Sequence, residues 1–249
     1  MGALHEGHLS LIQRSKNEND RTVVSIFVNP TQFGPTEDFS KYPRSFEQDC
    51  RLATEAGADI IFAPEPAEIY SDHPSLIHVP HVTDLFEGTL RPGHFDGVAT
   101  VVAKLFNIVS PKSAYFGEKD LQQCAVIRKL VADFNFTINI IICETMRENN
   151  GLAKSSRNTY LTDSEREIAP LLFKTLSEAK QMILDGKLSS NIKTESIDFL
   201  MRNSFIVDYF ELVDRETMHP IVTPNNHASW IVAATIGQTR LIDNVRVNG

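Results

Sequence analysis

The sequence predicts an α/β protein with two parts: a doubly wound, Rossmann-like parallel sheet without its first strand, and a smaller α+β domain at the C-terminal end. Two observations lead to this prediction. In residues 1–147, amphipathic helical segments alternate with nearly continuous apolar runs, which are typical of strands buried in a parallel sheet. In residues 148–249 this alternation stops, and the chain ends in three strand-like runs.

The helices and strands of the first predicted domain have recognisable ends. Ser45 and Gln48 form a capping-box pair that begins one helix, and Gly57 ends it. Pro30 ends the strand before it. We predict helices at 7–19, 45–56, 97–109 and 120–133, and strands at 22–28, 59–63, 113–117 and 137–143.

The second predicted domain, residues 148–249, begins with a polar, irregular segment and then a helix. Thr162 and Glu165 form the capping-box pair at the start of this helix. Its apolar face is formed by Ile168, Leu172, Leu176, Ala179 and Ile183. A second helix is predicted at 191–203, and strands at 207–213, 229–236 and 240–247, the last two joined by a hairpin turn at Gly237-Gln238.

The composition is ordinary for a globular enzyme. The chain has 249 residues and a net charge of −8, so we expect neither nucleic acid nor an anionic membrane surface as a partner. No apolar run reaches the roughly 18–20 residues that cross a bilayer. The three cysteines are scattered and lack metal-binding spacing, which predicts reduced thiols in a cytoplasmic protein: Cys50, Cys124 and Cys143.

The most informative segment is His5-Glu6-Gly7-His8, a turn that leads into the first predicted helix. Residues three apart share a helix face, and the first turn of a helix presents unpaired N–H groups to phosphate. The imidazoles of His5 and His8 add proton donors beside such a phosphate. This HxGH pattern is the signature of enzymes that attack the α-phosphate of ATP and release pyrophosphate. For the pattern alone, two surface histidines on an ordinary helix remain an alternative.

Three other polar segments follow predicted strands, which is where open α/β sheets bind ligands. Gln32 offers an acceptor and two donors to a polar substrate, and Lys119 offers a point charge to phosphate. The segment Lys154-Ser155-Ser156-Arg157 places two hydroxyls between two cations, which suits a mobile clamp on the β- and γ-phosphates. Taken singly, these segments are equally compatible with a solvated turn, a charged helix start and a linker loop.

Taken together, the segments resemble the pantothenate synthetase, or pantoate–β-alanine ligase, family of the HIGH-motif nucleotidyl-transferring superfamily. Its motifs occur in order along essentially the whole chain: MGALHEGH, VNPTQF, RPGHFDGVATVV, YFGEKDLQQ and SSRNTYL. The resemblance implies an AMP-forming ligase that joins pantoate and β-alanine through a pantoyl-adenylate, with ATP as substrate and Mg²⁺ on its phosphates. It also implies a homodimer.

The resemblance further implies which residues bind ATP. His8 would be the proton donor, with His5, Lys119 and Arg157 as the other catalytic groups. Met146 would touch the adenine through its backbone. The whole implied ATP site consists of Met1, Gly2, Ala3, Leu4, His5, Glu6, Gly7, His8, Gly117, Glu118, Lys119, Asp120, Met146, Lys154, Ser155, Ser156 and Arg157.

For the other ligands the resemblance implies fewer residues. Gln32 and Gln123 would hold the polar groups of pantoate, and Gln32 would also face β-alanine. Asp49 would be the protein contact of Mg²⁺, through water.

Two other functions compete with this ligase. A plain nucleotidylyltransferase would keep the nucleotidyl group on its product; the pair of glutamines and the second domain with its KSSR segment favour the ligase. An inactive nucleotide-binding form of the same fold, truncated at its N-terminus, is the other alternative. It is raised by the position of the phosphate turn at the start of the sequence, where a doubly wound fold normally has a strand before it. We expect that a sheet without this strand has an unpaired strand edge or a gap at its centre.

Overall fold

The computed structural model describes residues 2–34, 39 and 42–248. The chain forms two compact units, one composed of Met1–Glu118 with Gln122–Glu144 and the other of Lys119–Leu121 with Thr145–Gly249. The domain boundary predicted after residue 147 rests on sequence pattern and stays a prediction.

The first unit alternates strands and helices along the chain. A 3₁₀ turn at Pro30–Gln32 follows the first strand. The elements are α1 (Glu6–Glu18), β1 (Val23–Ser25), α2 (Phe46–Glu55), β2 (Ile60–Phe62), α3 (Pro66–Ile69), α4 (Glu87–Leu90), α5 (His94–Val109), β3 (Ser113–Gly117), α6 (Leu121–Asp133) and β4 (Asn139–Cys143); the first residue of α6 belongs to the second unit.

The strands of the first unit pair in parallel, as the alternating pattern predicted. β1 pairs with β2, with Val23 opposite Ile60, and β3 pairs with β4, with Ser113 opposite Asn139. Each pair is joined through a helix, because parallel neighbours need a crossover connection. Among the described residues these four strands form two pairs and not one continuous sheet.

Two local predictions in this unit are wrong. The strand predicted at 22–28 pairs with β2 only over Val23–Ser25, because the chain bends into the 3₁₀ turn soon afterwards. Ser45 begins α2, but its side chain makes no cap hydrogen bond to the helix backbone. Its Oγ lies 3.5 Å from the carboxylate of Asp49 instead, so the predicted capping box with Gln48 does not form.

The second unit is a three-stranded antiparallel sheet packed against helices. β5 (Phe205–Asp214), β6 (Ala228–Ile236) and β7 (Thr239–Arg246) lie in that order, and Gly237 takes a positive φ of 56° in the hairpin turn. The helices are α7 (Asp163–Ile168), α8 (Leu171–Leu184) and α9 (Ser189–Arg202).

The sequence predicted α7 and α8 as a single helix. Its capping box of Thr162 and Glu165 is confirmed, but Pro170 interrupts the helix because proline has no N–H for the helical ladder. The apolar face is confirmed beyond this break: Leu172, Leu176, Ala179 and Ile183 are all buried. They join Trp230 and Phe210, both fully buried, in the core of the unit.

Candidate active site

The HxGH segment forms the start of α1, and its two histidines cap the helix reciprocally. His5 is the N-cap residue, and its Nδ1 accepts the N–H of Gly7 at 3.2 Å. The N–H of His5 donates to Nδ1 of His8 at 3.3 Å, and the two rings lie 4.1 Å apart. This is a capping box in which imidazoles replace the usual hydroxyl and carboxylate.

The capping box decides which tautomer the histidines adopt. A ring nitrogen that accepts a backbone N–H carries no proton, so each neutral ring is protonated at Nε2. Both histidines can therefore present an Nε2–H donor while their Nδ1 atoms hold the helix start. The sequence predicted proton donors here. It did not predict that Nδ1 of each ring accepts a backbone N–H while Nε2 carries the proton.

The turn before His5 has an unusual backbone that is held from α2. Ala3 has a φ of +51°, a left-handed conformation that costs an L-residue about 1–2 kcal/mol. The N–H groups of Ala3 and Leu4 donate to the two carboxylate oxygens of Asp49, at 2.9 and 2.7 Å. Asp49 is only 2% exposed.

Other predicted members of this turn are placed as follows. Gly2 approaches Val28, whose Cγ2 would lie 3.0 Å from a Cβ at residue 2. Leu4 is buried in the apolar cluster beneath α1 and β1. Glu6 and Gly7 form the first turn of α1. Met1 lies outside the described residues.

Asp49 was expected to contact Mg²⁺. Its two oxygens instead satisfy backbone N–H groups, and within the described ranges no three His, Cys, Asp or Glu side chains are grouped closely enough to form a metal site. The described residues therefore do not form a protein cage for Mg²⁺. A water-mediated contact from Asp49 to Mg²⁺ stays a prediction.

Gln32 lies at the end of the 3₁₀ turn that follows β1, in a network of polar side chains. Its Oε1 accepts a hydrogen bond from Nδ2 of Asn29 at 3.3 Å, and its carbonyl is 2.8 Å from Nδ1 of His94. Asn29 is 3% exposed and also donates to the carbonyl of Gly97 at 3.1 Å. This hydrogen bond orients the side-chain amide of Gln32.

Asn29 is itself held by Tyr70. The Tyr70 hydroxyl donates to Oδ1 of Asn29 at 2.8 Å, and Thr31 Oγ1 donates to the same oxygen at 3.0 Å. Burial raises the pKa of Tyr70, although its hydrogen bonds to Thr31 and Asn29 oppose the shift, so the phenol stays a donor at neutral pH. Sequence reasoning missed both Asn29 and Tyr70, since a residue 41 positions away gives no local signal.

The predicted site residues after β3 differ in burial and in hydrogen bonding. Gly117 ends β3, and the N–H of Glu118 donates to the carbonyl of Cys143 at 2.8 Å. Glu118 is buried, and Gln123 is half-buried on α6. Its neighbour Gln122, which the sequence did not single out for a separate role, is 5% exposed and binds three backbone groups of the loop at 82–87.

Lys119 and Asp120 belong to the second unit. Their side chains lie 3.4 Å apart, and the Lys119 carbonyl accepts a hydrogen bond from Nδ2 of Asn244 in β7. The backbone of Lys119 is therefore fixed, while its side chain is about one-fifth exposed.

The KSSR segment is a folded turn, although the sequence predicted an irregular stretch here. The N–H of Lys154 donates to the carbonyl of Met146 at 2.9 Å, and Ser155 caps a 3₁₀ helix (Ser156–Tyr160) by accepting the N–H of Arg157. Asn158 is buried and donates to the carbonyl of Ala153 at 3.0 Å. The segment presents Lys154, Ser155, Ser156 and Arg157 in one compact turn.

Two ion pairs fix the ends of this turn. Arg147 makes a bidentate contact with Asp243 at 2.6 and 2.9 Å and lies over the ring of Phe173 at 3.8 Å. Arg166 donates to Glu148 at 2.8 Å, and Glu148 also accepts from Asn158. The sequence does not reveal these anchoring residues, because ion pairs between distant residues have no characteristic spacing.

Two further structural observations concern the chain as a whole. Cys50, Cys124 and Cys143 are free thiols, the last two buried, as expected. In the described part of the chain, no helix combines the length and the apolar character that crossing a membrane takes.

Comparisons with known proteins agree on one family. The family described as pantoate-beta-alanine ligase matches residues 1–246. The pantothenate synthetase of Caldicellulosiruptor saccharolyticus is 48% identical over 99% of this chain and 89% of its own length. A crystal structure of pantothenate synthetase from Thermus thermophilus has a TM-score of 0.96 and 43% identity, covering 100% of this chain and 91% of its own.

A second solved structure is that of a complex with ligands. It is the pantoate-beta-alanine ligase from Francisella tularensis complexed with beta-gamma ATP and beta-alanine. It has a TM-score of 0.83 and 38% identity, and the match covers 99% of this chain and 87% of that one.

Proposed function

The chain belongs to the pantoate–β-alanine ligase family, and we propose that it joins pantoate and β-alanine to form pantothenate, a coenzyme A precursor. The carboxylate of pantoate attacks the α-phosphorus of ATP, and pyrophosphate leaves. The amine of β-alanine then attacks the acyl carbon of the pantoyl-adenylate, and AMP leaves with one oxygen that came from pantoate. The observation that carries the proposal is the imidazole capping box at the start of α1.

The start of α1 supplies phosphate recognition and hydrogen-bond donors. The positive end of the helix dipole stabilises an anion at this position. We propose that the Nε2–H groups of His5 and His8 donate to the phosphates, and that His8 stabilises the charge that develops as pyrophosphate departs. The Nδ1 atoms remain on the backbone throughout, so the rings stay oriented.

The second unit supplies cations. We propose that Lys119, Lys154 and Arg157 bind the triphosphate, with the hydroxyls of Ser155 and Ser156. A phosphoryl-transfer transition state gains mainly from positioning and from charge stabilisation, so no protein nucleophile is needed. The backbones of Gly117, Glu118, Asp120 and Met146 complete the proposed ATP site.

We propose that Gln32 and Gln123 bind pantoate. Asn29 occupies Oε1 of Gln32, and therefore the Nε2 amide faces an acceptor on the substrate, such as a hydroxyl or carboxylate oxygen. The network behind Gln32 fixes this orientation before the substrate arrives, which lowers the entropy lost on binding.

Three finer points complete the proposal. Mg²⁺ is taken to arrive on the phosphates of ATP, as part of the substrate, because the described residues form no protein cage for it. The protein is proposed to be a homodimer, which sedimentation at several protein concentrations tests. A cytoplasmic location is proposed from the free thiols.

The experiment follows the two half-reactions. With ATP and pantoate alone, the protein should exchange labelled pyrophosphate into ATP; with β-alanine added, pantothenate, AMP and pyrophosphate should appear in equal amounts. Pantoate labelled with ¹⁸O in its carboxylate should transfer one label to AMP. Exchange that does not require pantoate, or unlabelled AMP, would contradict the mechanism, and retention of the nucleotidyl group on the product would indicate a nucleotidylyltransferase.

A matched pair of variants ties this activity to the site. His8→Ala should lose the exchange, whereas His78→Ala should keep it. His78 is an exposed histidine that pairs with Asp96 and has no proposed role.

A further inference from the structure

The conformation of the phosphate-binding turn depends on two backbone N–H groups that lie just before His5. Ala3 adopts a positive φ that L-residues avoid, and Leu4 is the last residue before the N-cap. Left to its local preferences, Ala3 would leave this conformation, and the direction in which the chain enters α1 would change. Something outside the turn must therefore hold it.

Asp49 is the group that holds it. It lies in the first turns of α2 and accepts the Ala3 and Leu4 N–H groups with one oxygen each, at 2.9 and 2.7 Å. The carboxylate is 2% exposed, and the two partners are 46 and 45 residues away in sequence. A buried carboxylate with both oxygens on adjacent backbone donors fixes the orientation of the peptide units between them.

We propose that Asp49 is a positioning residue for the reaction: it locks the turn at Ala3–Leu4 in the conformation that aims His5 and His8 at the phosphates of ATP. Asp49 acts through the backbone of the turn. The inference rests on the proposed function for its activity readout, and it assigns to Asp49 a different role from the metal contact that the sequence resemblance implies.

The first test is the isosteric change Asp49→Asn. An amide places an NH₂ group where one backbone N–H needs an acceptor, so one hydrogen bond is lost and two donors face each other. We expect pantoate-dependent pyrophosphate exchange to fall by ~10-fold or more at saturating substrates. The matched control is Asp59→Asn, the same change at a carboxylate that also accepts a backbone N–H, that of Thr22. We expect this control to keep the wild-type exchange rate.

The second test is rescue by Ala3→Gly. Glycine adopts positive φ without steric strain, so it should restore part of the active conformation when the clamp is missing. We expect the change to raise the exchange rate of Asp49→Asn by ~5-fold, and to raise the wild-type rate by a smaller factor. Equal factors in the two backgrounds would overturn the proposal. So would a loss in Asp49→Asn that disappears as free Mg²⁺ is raised, because that result indicates a metal contact.

A third readout does not depend on catalysis. The amide protons of Ala3 and Leu4 should be protected from hydrogen exchange in the wild type and in Asp59→Asn, and unprotected in Asp49→Asn. Unchanged protection in Asp49→Asn would overturn the clamp itself. If the wild type shows protection but no pantoate-dependent exchange, the clamp stands and the proposed function fails, so the two failures are distinguishable.

Discussion

Replacing His8 by alanine removes two separate functions of one side chain. The Nδ1 atom accepts the N–H of His5 at 3.3 Å and completes the capping box. The Nε2–H is the donor that we propose for the phosphates. A single alanine variant cannot separate these functions, but their expected magnitudes differ.

The two losses can be estimated from the structure. Removal of a helix-capping interaction costs about 0.5–2 kcal/mol of stability. Removal of a donor that acts on charge in the transition state costs ~10²–10³-fold in rate, or about 2.7–4 kcal/mol in activation free energy. His8→Ala should therefore lower pyrophosphate exchange by at least ~10²-fold while the protein stays folded at assay temperature.

His8→Gln separates the two effects. Glutamine is a natural third residue of a capping box, and its amide oxygen can accept the N–H of His5. We expect a free energy of unfolding within about 0.5 kcal/mol of the wild type, measured in urea, while the exchange rate stays close to that of His8→Ala. The exposed His78→Ala serves as the control with normal exchange.

The result that would refute this reasoning is a full recovery of exchange in His8→Gln. In that case His8 would act through the helix start alone, and the proton donor would have to be another group.

Three more predictions test other parts of the site. Lys119→Ala should lower kcat by ~10²-fold and change the KM for pantoate by less than ~3-fold, because its charge acts in the transition state; initial rates in which only KM rises would contradict this. Asp243→Ala leaves Arg147 without its carboxylate and should destabilise the protein by about 3–5 kcal/mol in urea unfolding; a loss below about 1 kcal/mol would show that the pair is dispensable. The N–H of Thr22 and the ammonium of Lys16 hold the pKa of Asp59 below its usual value, so its stabilising effect is present above the unfolded pKa and lost as pH falls through the lower folded one. The melting temperatures of the wild type and Asp59→Asn should differ at neutral pH and converge below about pH 4; a constant difference would exclude this linkage.

The sequence predicted the elements that local signals determine. The start of α1, the parallel strand pairs and the hairpin at Gly237 follow from periodicity, capping residues and turn residues, which act over a few positions. The prediction of one continuous helix across Pro170 was wrong. The apolar face continues through this position, but proline has no N–H, and the helical hydrogen bonds break there.

Contacts between residues distant in sequence could not be predicted from the sequence. The family resemblance implied a Mg²⁺ contact for Asp49, and only the fold brings its carboxylate onto the backbone of Ala3 and Leu4. Gln122 and Gln123 are adjacent and identical in type, and the helix phase that buries Gln122 depends on what packs against α6. The folded turn at Lys154 depends on Arg147 and its distant partner in β7 for the same reason.

The anchored KSSR turn also affects the entropy of nucleotide binding. Ordering a flexible loop costs about 1–2 kcal/mol of conformational entropy per residue, and a loop that becomes ordered only when ATP arrives deducts that amount from its affinity. Here the bidentate Arg147–Asp243 pair and the buried Asn158 already hold the backbone. The entropy is lost when the chain folds, so the contacts that we propose with the triphosphate contribute more fully to affinity and to the transition state.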